Sequence, residues 1–312
     1  MPEVGLVRMA QVAMEVAEAT VPPYGSRFSK RLYTQPQLLA ILCLMRFEGW
    51  TYREVHVRLG EHRELREALG LRQVPHWTTL QKFLARLREG VFQKALEQAA
   101  TRLLPPGPSP SAPQPVVAAD ATGLRTSRAS LYFVCRLRQL GVEHPRRAWL
   151  KHTILVDVHH QVILVQRVSL GPRADIPDLP PLVRQGRRME PLGVVLSDAG
   201  FDSEGNHRYI REKMGAMSVI PPKRGRPMKE PRGFRGEMAL CFPKEIYRLR
   251  ALVETVISVI KRKLGDLVAG QSLRMQRKQA LLLGLVYNLY RLKWCLFWPP
   301  HLWQRLSTPT AL

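Results

Sequence analysis

"PLGVVLSDAGFDSEGNHRYIREKMG", residues 191–215, changes pattern twice within a short span. Its apolar run, Val194 to Leu196, reads as a buried strand that leads into Asp198; a turn containing Gly200 follows, and helical spacing predicts a helix from about residue 203 to 214. A buried strand feeding a helix through a tight turn is the building unit of an α/β sheet. Upstream, "PVVAADATG" (115–123) is a short apolar strand ending at Asp120, and "LKHTILVDVHHQVILVQRVSL" (150–170) reads as two longer strands joined by a turn near 159–161. A helical stretch is expected from about 178 to 188, a further short strand in "MSVIPP" (217–222), and a last helix in "YRLRALVETVISVIKRKLG" (247–265). The order β-β-β-α-β-α-β-α predicts a mixed five-stranded sheet flanked by helices.

In this layout Asp120 ends the first strand and Asp198 the fourth. If the sheet order sets those strands side by side, the two carboxylates meet at one edge, where Glu254 of the last helix can approach. Three crowded acids repel one another unless cations neutralise them, and hard oxygen donors favour Mg²⁺, which keeps positions open for water and phosphate oxygens. Two such ions suit phosphoryl transfer on a polynucleotide.

The last helix carries a polar stripe. At about 100° per residue, Tyr247, Arg250 and Lys261 project within about 40° of Glu254. Leu249, Leu252, Val253, Val256, Val259 and Ile260 occupy the rest of the wheel, so the helix can pack while the stripe faces an opening. Simple intrahelical pairing of Glu254 with Arg250 and Lys261 is the plainer explanation. The alternative makes these residues a holder for nucleic acid, with Arg250 forking onto a phosphate, Lys261 supplying a point charge and Tyr247 stacking or hydrogen bonding.

The chain has 312 residues, 45% of them hydrophobic, enough for a packed core. Its 48 Lys and Arg against 25 Asp and Glu leave a net charge of +23, which attracts polyanions, nucleic acid first among them. The four cysteines, Cys43, Cys135, Cys241 and Cys295, form no C-x-x-C pair, which speaks against a zinc site or a disulfide framework and fits a reducing compartment. The N-terminal run lacks a signal-peptide core, and "ALLLGLVYNLY" (280–290) is too short to span a bilayer; the expectation is a cytoplasmic protein with no membrane partner.

"PPGPSPSAPQP", residues 105–115, contains six prolines and reads as a stiff spacer. The expected organisation is therefore a helical region 1–104, the spacer 105–115, a catalytic region 116–298 and a tail 299–312. A helix beginning near Thr78 would bury Leu80, Phe83, Leu84 and Leu87 and present Lys82, Arg86 and Arg88, a pattern that suits a helix-turn-helix recognition helix or, equally, a dimerising helix. In "PPKRGRP" (221–227), Lys223, Arg224 and Arg226 are expected to contact DNA. Asp157 and Asp175 read as turn or capping residues and Asp202 as the cap of the helix after Asp198. His152, His159 and His160 lack a matched further ligand.

Tyr247, Arg250, Glu254 and Lys261 resemble the Y-x2-R-x3-E-x6-K signature of bacterial insertion-sequence DDE transposases, "AADATGL" is similar to the segment around that family's first aspartate and "LSDAGFDSE" to that around its second. "VIPPKRGR" and "VYNLYRLK" are similar to further family segments, so the likeness covers about 116–294. It implies an RNase H-like α/β fold behind an all-α N-terminal region, and Asp120, Asp198 and Glu254 as catalytic ligands of two Mg²⁺ ions, with Mn²⁺ as a substitute. It further implies a nucleoid-associated bacterial protein whose partner is double-stranded DNA, both terminal inverted repeats and target, and which forms a homodimer on it. Other readings keep the same residues: an RNase H-like nuclease without strand transfer, or a non-catalytic regulator derived from a transposase.

Overall fold

The computed structural model describes residues 5–105, 115–126, 139, 141, 149–223, 232–270 and 272–295. Most of the 105–115 spacer, Arg224, Arg226, Cys135 and the 299–312 tail therefore lie outside the described residues. Contacts divide the chain into two compact units, one drawn from Met1–Pro113, Asp157–Leu164 and Leu282–Leu312, the other from Gln114–Val156 and Val165–Leu281.

The first unit is mainly helical: α1 (Leu6–Thr20), α2 (Gln35–Glu48), α3 (Tyr52–Glu61), α4 (Arg63–Ala68), α5 (Trp77–Arg86) and α6 (Glu89–Thr101). Local chemistry sets several of the ends. Thr34 and Thr51 each form a reciprocal capping box, with Gln37 and Glu54 respectively, and Gly49 closes α2 in the left-handed conformation at φ 73°. Helix α2 buries ten of its fourteen residues, so it forms the centre of the bundle. Leu80, Phe83, Leu84 and Leu87 of the α5 segment are buried while Lys82, Arg86 and Arg88 stay exposed, as the spacing predicts.

The sheet consists of β1 (Val116–Arg125), β2 (Trp149–Asp157), β3 (Val162–Leu170), β4 (Val194–Ser197) and β5 (Met217–Val219) in the spatial order β3-β2-β1-β4-β5, and all of it but Asp157 and Val162–Leu164 belongs to the second unit. β1 pairs with β4 in parallel, in the register Val116↔Val194 to Ala119↔Ser197, and β4 pairs in parallel with β5. The short turn between β2 and β3 permits only antiparallel pairing, so the sheet is mixed. Val117, Ala118, Ala119, Val195 and Leu196 are fully buried, which explains their unbroken apolar runs.

Helix α7 (Leu179–Gly186) follows a 3-10 turn at Ile176–Asp178, and α8 (Glu204–Arg208) continues as a π turn, Tyr209–Lys213. A Cβ at Gly186 would come within 2.5 Å of Leu155, so this glycine lets α7 lie close on the sheet. Next come α9 (Gly233–Leu240), which the sequence reading did not anticipate, and α10 (Lys244–Tyr247). A 3-10 turn, Arg248–Arg250, carries the chain into α11 (Ala251–Val259), a π turn at Ile260–Leu264 follows, and α12 (Leu273–Cys295) is the last helix among the described residues. Val253, Val256, Ile260 and Leu264 form the buried face of the 244–264 path, and α11 packs on β1. This is an RNase H-like α/β fold behind an all-helical N-terminal region. One detail departs from expectation: β1 runs on to Arg125, so Asp120 lies within the strand rather than at its end.

Candidate active site

The register of the two central strands decides where the acids fall. Ala119 and Ser197 are the last paired positions of β1 and β4, and Asp120 and Asp198 are the next residue on each chain. Parallel pairing sends both carboxylates out at the same edge, while α11, resting on β1, brings Glu254 to it and the 3-10 turn before α11 brings Arg250.

The charges there act on one another. Arg250 Nη1 lies 3.5 Å from Asp120 Oδ2, and Nη2 donates to Glu254 Oε1 at 2.5 Å, so one guanidinium stands between two of the three acids. Asp120 is largely buried, and its Oδ1 accepts from the Ala121 N–H at 2.8 Å. Burial pushes its carboxyl up to about 6; the Ala121 N–H and Arg250 oppose that rise, and the charges of Asp198 and Glu254 add to it. Burial also raises the Tyr247 phenol, which keeps its proton as a donor. Burial works against the Arg250 charge, but Tyr247, Asp120, Glu254 and Asp198 together hold the guanidinium above its ordinary value. Its Cζ lies 5.8 Å from the centre of the Tyr247 ring.

Tyr247 and Arg250 thus join Asp120, Asp198 and Glu254, and Lys261 goes elsewhere: it is exposed in the π turn and acts on Asp266, the partner of Arg125. The backbone N–H of Lys223 donates to Asp202 Oδ2 at 2.9 Å.

Asp202 does not cap the next helix. Ser203 does so, accepting from the Asn206 N–H, while Asp202 is buried beneath a two-point hydrogen bond from Arg235 at 2.8 and 2.6 Å. Asp157 closes the β2–β3 turn by accepting from the His160 N–H at 2.6 Å. His152 pairs with Gln166, and burial lowers it to about 4, so it is neutral near pH 7. Asp175, read as a turn residue, stands beside the site: a Cβ on Gly200 would meet Asp175 Oδ2 at 2.8 Å and Asp198 Oδ1 at 3.0 Å. The available signal for this was Lys151, the one cation in the apolar run LKHTILVDV.

Among the described residues, no three His, Cys, Asp or Glu side chains converge as they stand into a site for a metal ion. The donor set nevertheless fits a hard divalent cation. It consists of carboxylate oxygens alone, and a cationic group already lies between Asp120 and Glu254, where the negative charge requires one. Glu254, with 56% of its side chain exposed, has room to leave Arg250 and turn toward Asp120.

A family model described as Transposase DDE domain matches residues 111–289. The chain belongs to that family of DNA-cleaving transposases, which generally use divalent metals. No curated protein matches this chain. Among the described residues no helix is long and apolar enough to cross a membrane.

Proposed function

We propose that the protein binds the terminal inverted repeats of an insertion sequence, cuts the phosphodiester bond at each end and joins the freed ends to target DNA. Asp120, Asp198 and Glu254 are the metal ligands in this reading. The observation that carries it is the β1–β4 register, which puts Asp120 and Asp198 one residue beyond a shared last pair, at the edge α11 approaches. A pair of Mg²⁺ ions, or Mn²⁺ in their place, would activate a water or a 3′ hydroxyl and stabilise the departing oxygen when bound there.

The chain's own residues bind and orient the DNA. Arg250 can exchange its carboxylate partners for two oxygens of one phosphate once those carboxylates hold metal, because its fork fits either. Tyr247, protonated and beside Arg250, donates to or stacks on a nucleotide next to the cut, and Lys261 supplies charge one backbone position further on. Lys223 contacts the DNA backbone. The 116–298 region performs the chemistry as a homodimer on DNA, and the 1–104 region holds the element end through the basic face of α5 or through dimerisation.

A cleavage and joining assay on linear duplexes carrying the element's terminal repeats tests this proposal. A transposase yields cut ends and joined products, a nuclease yields cut ends alone, and a regulator yields a stable complex with neither. Only the first outcome supports the proposal.

A further inference from the structure

A lysine inside a buried strand needs an explanation, since an unpaired ammonium there is costly. Lys151 lies in β2 with 3% of its side chain exposed. Its Nζ donates to the carbonyl oxygens of Arg173 (3.1 Å) and Ala174 (2.9 Å) and to Asp175 Oδ1 (2.8 Å), and it pairs with Asp178 Oδ2 (2.6 Å). All four oxygens belong to 173–178, so one cation gathers that whole segment.

The segment rests against the Ala199–Phe201 turn that follows Asp198. Asn206, buried in α8, ties the two together with a single amide: Nδ2 donates to Ile176 O at 3.1 Å and to Phe201 O at 2.8 Å. At the centre of the turn the Gly200 N–H donates to Asp198 Oδ1 at 3.0 Å. No side chain fits on Gly200, because Asp175 and Asp198 face each other across it. The direction of the Asp198 carboxylate is thus set by a turn whose own place is set by Asn206 and by the Lys151-bound segment.

We infer that Lys151 and Asn206 are positioning residues for Asp198, acting through 173–178 and the Ala199–Phe201 turn to aim its carboxylate at the metal. This rests on the reading of Asp198 as a metal ligand. Groups that hold a ligand rather than the metal typically change metal affinity by about 10- to 100-fold when removed.

The test uses the full chain and measures Mn²⁺ binding by electron paramagnetic resonance, with melting temperature and DNA affinity in EDTA as controls. Lys151→Met and Asn206→Ala should each weaken Mn²⁺ binding about tenfold and raise the Mg²⁺ needed for half-maximal cleavage to match, with DNA affinity unchanged. Lys151→Arg, which keeps the charge, should recover part of the loss. Either of the first two variants, if folded and with wild-type Mn²⁺ affinity, overturns the inference; if Lys151→Met does not fold, Asn206→Ala decides alone. Asp198→Asn separates the two levels. Should it bind Mn²⁺ as the wild type does, the metal-ligand reading itself fails; should it lose Mn²⁺ while folded Asn206→Ala does not, the positioning role alone fails.

Discussion

Burial, with the charges of Asp198 and Glu254 added to it, disfavours the ionised Asp120 carboxylate, and this has a measurable cost in the metal-free protein. Its folded carboxyl titrates at about 6 against an ordinary value of 3.8, so the folded state binds this proton more tightly than the unfolded state does. Stability therefore falls as pH rises from about 4 to about 6, by roughly 1.4 kcal/mol per unit of pKa difference. Asp120→Asn removes that penalty. In EDTA it should stabilise the fold by about 3 kcal/mol at pH 7.5 and leave it little changed at pH 4; a variant less stable than the wild type at pH 7.5 would contradict the origin given for the shift. With Asp120 as a metal ligand, as proposed, the same proton competes with metal, so calorimetric Mg²⁺ affinity should weaken as pH falls through about 6.

The 244–264 path shows what an element can and cannot disclose in sequence. Spacing put Tyr247, Arg250 and Glu254 on one stripe, and all three face the same acids. Lys261 does not join them: seven residues beyond Glu254 it stands about 10 Å further along the helical path, in the π turn, where it acts on Asp266. The apolar runs of the strands were legible, as was the turn after Asp198; the adjacency of β1 and β4 was not, since strand order depends on contacts between distant segments. The same holds for Asp175, which nothing local distinguishes from a turn aspartate until Lys151 and Gly200 approach it in space. Asp202 had the local pattern of a cap, but Arg235 outbids that role with two charge-assisted hydrogen bonds. In the proposed function Arg250→Ala and Lys261→Ala both stay folded, the exposed Lys261 being replaced with the melting temperature nearly unchanged, yet both strongly reduce end joining and engagement of the element end. If both join DNA normally, or lose activity only by unfolding, the stripe is structural.

For the molecule as a whole, a charge of +23 makes DNA affinity a function of salt. Each phosphate neutralised releases condensed counterion, so affinity measured by titration should fall by about 10³-fold or more between 50 and 200 mM salt if six or more phosphates are contacted. A flat profile would instead favour a protein or membrane partner. In the proposed function an α/β sheet and one helix bring three carboxylates together to cut DNA with divalent metal. Its most direct test is cleavage of a linear duplex bearing the element's end by the wild type and by Asp120→Asn, Asp198→Asn and Glu254→Gln, with DNA binding measured in parallel. The wild type should cut in Mg²⁺ or Mn²⁺ and not in EDTA, and each variant should bind DNA normally but lose about a thousandfold or more in cutting rate, a loss of some 4 kcal/mol in transition-state stabilisation. Near-normal cutting in Mg²⁺ by any one of the three would contradict it.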